Sequence, residues 1–101
     1  MNTFPLKILT PAGEVLSADV THVAVRTETG ALGIMARHTP LLASCPQGPI
    51  RIQRDGLWVT YDSTPFVLNM DGTTVTILSA SATESDPQSS DGTAVESSDG
   101  F

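Results

Sequence analysis

The chain has 101 residues, five Lys and Arg against eleven Asp and Glu, a net charge of −6 with neutral histidines, and 40% hydrophobic residues. That length suits one small domain. The acidic balance, with the bases Lys7, Arg26, Arg37, Arg51 and Arg54 scattered, argues against nucleic acid as a partner, because phosphate neutralisation needs a basic patch.

The opening "MNTFPLKIL" lacks the charged start and apolar run of a signal peptide. No stretch approaches the ~20 apolar residues of a membrane helix. In "FPLKIL", Phe4, Leu6 and Ile8 alternate with Pro5 and Lys7, the period of a half-buried strand. "PAG" at 11–13 predicts a turn, and "EVLSADV" a second strand. In "THVAVRT", Val23 and Val25 face one way and His22, Ala24 and Arg26 the other. "GALGIMARHTPLL" (30–42) is too punctuated for a helix and too apolar for an ordinary loop. Its two glycines suggest a turn and a close approach to a neighbour, and Pro40 an interruption of pairing at a sheet edge. The segment therefore reads as a recognition loop plus an edge strand.

"PIRIQRDGLWVTYD" predicts a hairpin. Ile50 and Ile52 share one face, Leu57, Val59 and Tyr61 alternate with Trp58, Thr60 and Asp62, and Asp55-Gly56 supplies the tight turn. "PFVLNMDGTTVTIL" predicts another, with Asp71-Gly72 at its tip. Asp-Gly between alternating runs is a strong hairpin signal, since glycine accepts positive φ without a Cβ clash. No window carries apolar residues at helical spacing. The expected fold is all-β: a two-sheet β-sandwich of about eight to ten short strands, at the usual strand-plus-turn spacing. Residues 1–83 form the expected domain. From 84 to 101 the sequence holds Glu84, Asp86, Asp91, Glu96 and Asp99 and no base, among Ser and Gly. Such a composition buries too little apolar surface to offset ordering entropy, so a disordered tail is expected.

Chemistry is sparse. His22, His38 and Cys45 have no close-spaced metal-ligand partner. One cysteine excludes an internal disulfide and fits a reducing compartment better than secretion. Beside Pro46 in an apolar run, Cys45 suits a buried, inert thiol. Ser17, Asp19 and His22 are a triad in name only, because nothing marks an oxyanion hole. Phosphate-binding glycine loops and nucleophile elbows are absent from the sequence. Trp58 and Tyr61 suit sheet packing. The residues by themselves describe a binding or structural module without catalytic residues, cofactor or metal.

"FPLKILTPAGEVLSADVTHVAV" and "GALGIMARHTPLLASCPQGPIRI" together resemble the N-terminal β-sandwich domain of the epsilon subunit of F-type ATP synthase. Gly30, Leu32, Gly33, Ile34, His38, Pro40, Leu41, Leu42, Gly48, Arg51 and Ile52 stand at the family's motif positions, and "VTIL" (75–78) fits its closing strand. The resemblance covers about residues 3–83. In place of the family's usual acid stands Ala31, and in place of its glycine before the histidine stands Arg37. The chain also reads as a short form without the family's C-terminal helical hairpin.

The resemblance implies a non-catalytic rotor subunit of the F1 sector. It would link the gamma subunit to the c-ring and couple ion translocation to ATP synthesis and hydrolysis. It implies a peripheral position at the cytoplasmic face of the energy-transducing membrane, without membrane insertion; the alternating apolar strands of the body predict a folded monomer when isolated. On gamma it would place Thr10, His38, Pro40, Leu41, Leu42 and Ala43. Toward the c-ring it would place Glu28, Thr29, Gly30 and Ala31. The alternative is a stand-alone β-sandwich binding module with only architectural similarity.

Overall fold

A computed structural model describes residues 2–85, and these form strands and turns without a helix. The strands are β1 (Phe4–Thr10), β2 (Gly13–Val20), β3 (His22–Thr27), β4 (Gly30–Ile34), β5 (Leu41–Cys45), β6 (Gly48–Arg54), β7 (Leu57–Ser63), β8 (Phe66–Met70), β9 (Val75–Ser79) and β10 (Ala82–Glu84). Two five-stranded sheets face each other. Sheet I has the order β2-β1-β9-β8-β5 and sheet II the order β10-β7-β6-β3-β4. Pairing is antiparallel except between β1 and β9, which run parallel with Leu6 opposite Val75 and Leu9 opposite Leu78. The expected all-β sandwich is what forms, at the upper end of the expected strand number. The expectation of disorder concerns a segment that, beyond Ser85, lies outside the described residues.

The alternation seen in the sequence becomes the core. Phe4, Leu6, Ile8, Val23, Val25, Ile50, Ile52, Tyr61, Leu68, Met70, Val75 and Ile77 all turn inward and are buried. Because successive strand residues point to opposite faces, their neighbours Pro5, Lys7, Arg26, Val67, Asn69 and Leu78 are left outside. Leu57 shares the phase of Val59 and Tyr61 but is not buried with them. Its position at the end of the β6–β7 hairpin leaves it 69% exposed, beyond the reach of the facing sheet.

Turn chemistry fixes the registers. Arg54 pairs with Leu57, and between them Asp55 (φ 54°) and Gly56 (φ 77°) take the left-handed conformation that matches a two-residue turn to strand twist. The β8–β9 loop is longer than a two-residue tip. Asp71 donates its N–H to the Thr74 carbonyl, and its Oδ1 accepts from Thr73 N (2.9 Å), Thr73 Oγ1 (3.1 Å) and Thr74 N (2.9 Å).

The chain changes sheet repeatedly, and the crossings gather at the two ends of the sandwich. At one end lie Thr21, the 35–40 segment and the 55–56 and 71–74 turns. At the other lie Pro46-Gln47, Thr64-Pro65 and Ala80-Ser81, together with the 11–12 and 28–29 turns. Thr21, buried at the first end, donates both N–H (2.8 Å) and Oγ1–H (3.0 Å) to the Gln53 carbonyl, tying the β2–β3 crossing to β6. At the second end Thr64 and Ser81 clasp each other: Thr64 N–H donates to the Ser81 carbonyl (3.0 Å) and Ser81 N–H to Thr64 Oγ1 (3.1 Å).

The 30–42 stretch is thus an edge strand in each sheet joined by a crossing. β4 borders sheet II and β5 borders sheet I. Gly30 has φ 136° and closes the β3–β4 turn, as expected. Gly33 corrects the reading: it lies inside β4, opposite Ala24, and a Cβ there would meet nothing within 4 Å. It serves neither a turn nor a close approach.

Candidate protein-docking surface

An outward position on a sandwich sheet normally carries a polar side chain. Sheet I breaks that pattern along one row. Leu9 lies opposite Leu78, Leu78 opposite Val67, and Val67 opposite Ser44 on the edge strand. Leu78 is 53% exposed, and Leu42, two residues before Ser44 on the same face, is 72% exposed. Neighbouring strands are about 4.8 Å apart, so Leu9, Leu78 and Val67 form an apolar row across β1, β9 and β8, with Leu42 diagonal to Val67 on β5.

The row runs into a groove at the end of the sandwich where the chain crosses between sheets. It has a volume of about 790 Å³ and is lined mainly by apolar atoms of Leu9, Pro11, Pro46, Pro65, Phe66 and Leu78, with Thr10 and Glu28 at its margin. Prolines fix the backbone at φ near −65°, so much of this wall is rigid before anything binds. Cys45 lies in the floor, buried, and burial pushes its thiol pKa up. A thiol held protonated is a poor nucleophile, and Cys45 is buried as expected. Ser79 Oγ, also in this wall, is buried without a hydrogen-bond partner among the described residues.

The residues singled out in the sequence distribute unevenly. Leu42 belongs to the outward apolar face. Leu41 and Ala43, with the opposite phase, pack against the core half-buried. Thr10 closes the β1–β2 turn, its Oγ1 donating to the Gly13 carbonyl (3.1 Å) and accepting from Ala12 N–H (3.2 Å). His38 and Pro40 lie in the β4–β5 crossing at the far end of the sandwich from Thr10. His38 Nδ1 donates to the neighbouring Thr39 carbonyl at 2.7 Å. Glu28, Thr29, Gly30 and Ala31 form the exposed β3–β4 turn, held by Thr27 Oγ1, which donates to the Gly30 carbonyl at 2.9 Å. Glu28 therefore shares the groove with Thr10, while His38 does not.

Leu9, Val67 and Leu78 were missed by the sequence reading. The signal was present: in "FVLNM" and "VTIL" an apolar residue sits at the outward phase, beside inward residues that already fill the core.

Ser17, Asp19 and His22 do not assemble. Ser17 and Asp19 lie opposite Lys7 and Pro5 in sheet I, whereas His22 is in sheet II with its ring 5.8 Å from that of Trp58. Among the described residues no group of three His, Cys, Asp or Glu is placed to hold a metal ion. No helix among them is long and apolar enough to cross a membrane.

The family model for the beta-sandwich domain of the ATP synthase delta/epsilon chain matches residues 3–85. The chain belongs to this family. An ATP synthase epsilon chain of Bacillus pumilus (strain SAFR-032) is 45% identical over 56 residues, covering 55% of this chain and 43% of the relative. The epsilon chain of Caldanaerobacter subterraneus subsp. tengcongensis is 40% identical over 83 residues, covering 79% of this chain and 59% of the relative. The chain thus matches about two to three fifths of the length of these curated relatives. Among solved structures, a chain of the Euglena gracilis mitochondrial ATP synthase (OSCP/F1/c-ring, rotational state 1) superposes with a TM-score of 0.77. Its sequence identity is 17%, and the match covers 93% of this chain and 62% of that one. A chain of the Tetrahymena thermophila mitochondrial ATP synthase central stalk/c-ring gives a TM-score of 0.67 at 19% identity, covering 77% and 63%. At these identities the delta/epsilon-type sandwich shares its fold with both.

Proposed function

We propose that this epsilon-type domain is a non-catalytic element of an ATP synthase central stalk, and that the outer face of sheet I is its docking surface for the gamma subunit. The observation that carries the reading is the apolar row Leu9–Leu78–Val67 with Leu42 beside it, on a face where alternation leaves polar groups in an unpartnered sandwich. Exposed apolar surface of this continuity marks interaction sites in soluble proteins. The groove between Pro11, Pro46 and Pro65 extends the surface and offers a rigid pocket for an apolar anchor from the partner.

The β3–β4 turn, Glu28 to Ala31, faces the c-ring in this reading. Gamma on one side and the ring on the other make the domain a clamp between them, through which ion-driven rotation is coupled to the catalytic head. A closely packed sandwich suits that task because it transmits load with little compliance. The site of action is the cytoplasmic face of the coupling membrane, with the domain peripheral.

The test is binding of purified gamma to the full chain and to Leu42→Glu and Leu78→Glu variants, with circular dichroism melts as the control for folding. We expect each carboxylate to lower gamma affinity at least 30-fold, about 2 kcal/mol, while melting changes little. Unchanged affinity in both variants removes the outer face of sheet I as the gamma site.

A further inference from the structure

The outer face of sheet II is built differently. Its rows run Thr60–Arg51–Ala24–Gly33 across β7, β6, β3 and β4, and Trp58–Gln53–His22 beside it. Small residues, Ala24, Gly33 and Thr60, leave the larger groups standing out. Trp58 is 46% exposed, the Arg51 guanidinium carbon lies 5.1 Å from its ring centroid, and the His22 ring flanks it at 5.8 Å. Arg26 adds a second guanidinium on β3, with Asp62 the acid on this face.

The path of the chain leads onto this face. β10 runs antiparallel to β7, with Thr83 opposite Asp62 and Glu84 opposite Tyr61. Ser85 N–H then donates to the Thr60 carbonyl at 2.8 Å, so the chain is heading along β7 toward Trp58. Two residues on, where the next bond of that ladder requires an N–H for the Trp58 carbonyl, stands Pro87, which has none. Residues 86–101 carry Asp86, Asp91, Glu96 and Asp99 and no Lys or Arg. Fully extended they reach about 50 Å, and a five-stranded sheet is only about 20 Å across.

We propose that the acidic segment 86–101 of this chain docks across the outer face of sheet II, its carboxylates on Arg51 and Arg26 and its backbone against the Trp58 ring. Charge complementarity selects this face over sheet I, whose outer side offers Lys7 as its cation, with the acids Asp19 and Glu14 on the neighbouring strand opposite Pro5 and Leu9. The short tether selects this segment over a separate acidic partner, because covalent attachment over so few residues gives local concentrations on the order of millimolar. A guanidinium stacked on an aromatic ring through its face makes its hydrogen bonds in its own plane, the geometry in which carboxylates pair with it. Docking here leaves the outer face of sheet I open, so the proposal stands independently of gamma binding.

The experiment uses the full chain with a nitroxide on Val95→Cys, the buried Cys45 reacting slowly. Line broadening is read by NMR at the Trp58 indole N–H and the Ala24, Arg51 and Thr60 amides, against Leu42, Val67 and Leu78 on the other face. Broadening at least fivefold stronger on sheet II at low salt, lost in 1 M NaCl where screening length falls to about 3 Å, supports the proposal. So does its loss in the variant carrying Asp86→Asn, Asp91→Asn, Glu96→Gln and Asp99→Asn. Trp58, the single tryptophan of the chain, gives an independent measure: acrylamide quenching is expected to rise about twofold in the neutralised variant. Equal broadening on both faces, broadening confined to sheet I, or sheet II broadening that survives high salt overturns it.

Discussion

The outer faces of the two sheets share a backbone pattern and a core but not a chemistry. On sheet I, Leu9, Leu42, Val67 and Leu78 stand outward; on sheet II, small residues surround Arg51, Trp58 and His22, with Arg26, Gln53 and Asp62 on the same face. Both sheets contribute inner residues to one core, so the need for a core explains neither outer face. Strand periodicity decides which residues face out, and the choice of residue there records what the face meets. An apolar face gains by losing water to a partner. A face of cations and small side chains instead favours carboxylates, reversibly and with strong dependence on salt.

The sharpest way to break this comparison is on one strand, at adjacent residues. Ile77 is fully buried between β1 and β8. Ile77→Ala is expected to cost about 2–5 kcal/mol of folding stability, from lost burial and the cavity left behind, measured by urea unfolding. Leu78, its outward neighbour, is expected to do the reverse. Leu78→Ala changes folding by no more than about 0.5 kcal/mol but weakens gamma binding by about 1–2 kcal/mol. Thr60→Ala on sheet II serves as the control, with gamma affinity unchanged. A Leu78 variant that unfolds like the Ile77 variant abolishes the distinction between core and face on β9.

Ser79, next along β9, sharpens it further. Its buried hydroxyl has no hydrogen-bond partner among the described residues, and an unsatisfied buried hydroxyl costs about 1–3 kcal/mol. Ser79→Ala is expected to stabilise the domain by about 1 kcal/mol. Loss of stability instead would show that the hydroxyl is bonded in solution.

What the sequence revealed, and what it hid, follows from the range of the interactions. The β6–β7 hairpin was legible because Asp55-Gly56 and the alternation around it are local, and Ile50, Ile52 and Tyr61 are buried as expected. That β4 and β5 border different sheets was not legible, since strand assignment to a sheet depends on pairing with Ala24 in one case and Leu68 in the other. Leu41, Leu42 and Ala43 were grouped by motif, yet the pleat turns Leu42 out and the other two in. The row Leu9–Leu78–Val67 joins residues almost seventy positions apart, and only the register of three strands brings them together.

Arg37 connects the motif to the backbone. It has φ 64°, a left-handed conformation that costs a residue with a Cβ about 1–2 kcal/mol, at the position where the family resemblance supplies glycine. Glycine repays part of that gain through greater freedom in the unfolded chain. Arg37→Gly is therefore expected to stabilise by up to about 1 kcal/mol, without affecting either outer face. A destabilised variant would mean that the arginine side chain holds the β4–β5 crossing in place.

The smallest expected effect separates the two sheets by how their hairpins close. The sheet II hairpin turns on backbone geometry at Asp55 and Gly56, whereas the sheet I hairpin turns on the Asp71 carboxylate. Hydrogen bonds from the Thr73 and Thr74 N–H groups and the Thr73 hydroxyl hold the Asp71 pKa below its ordinary value. A depressed folded-state pKa contributes stability that is fully present above the unfolded carboxylate value, near pH 4, and is lost as pH falls through the folded value. Asp71→Asn keeps an acceptor oxygen but removes the charge. Its melting temperature is expected to lie slightly below that of the parent chain at pH 7, with the gap closing as pH drops from about 4. The side chain is exposed, so solvent screening keeps the difference small. A gap that persists unchanged at low pH would assign the loop's stability to the shape of the side chain, and the two hairpins would then close by the same means.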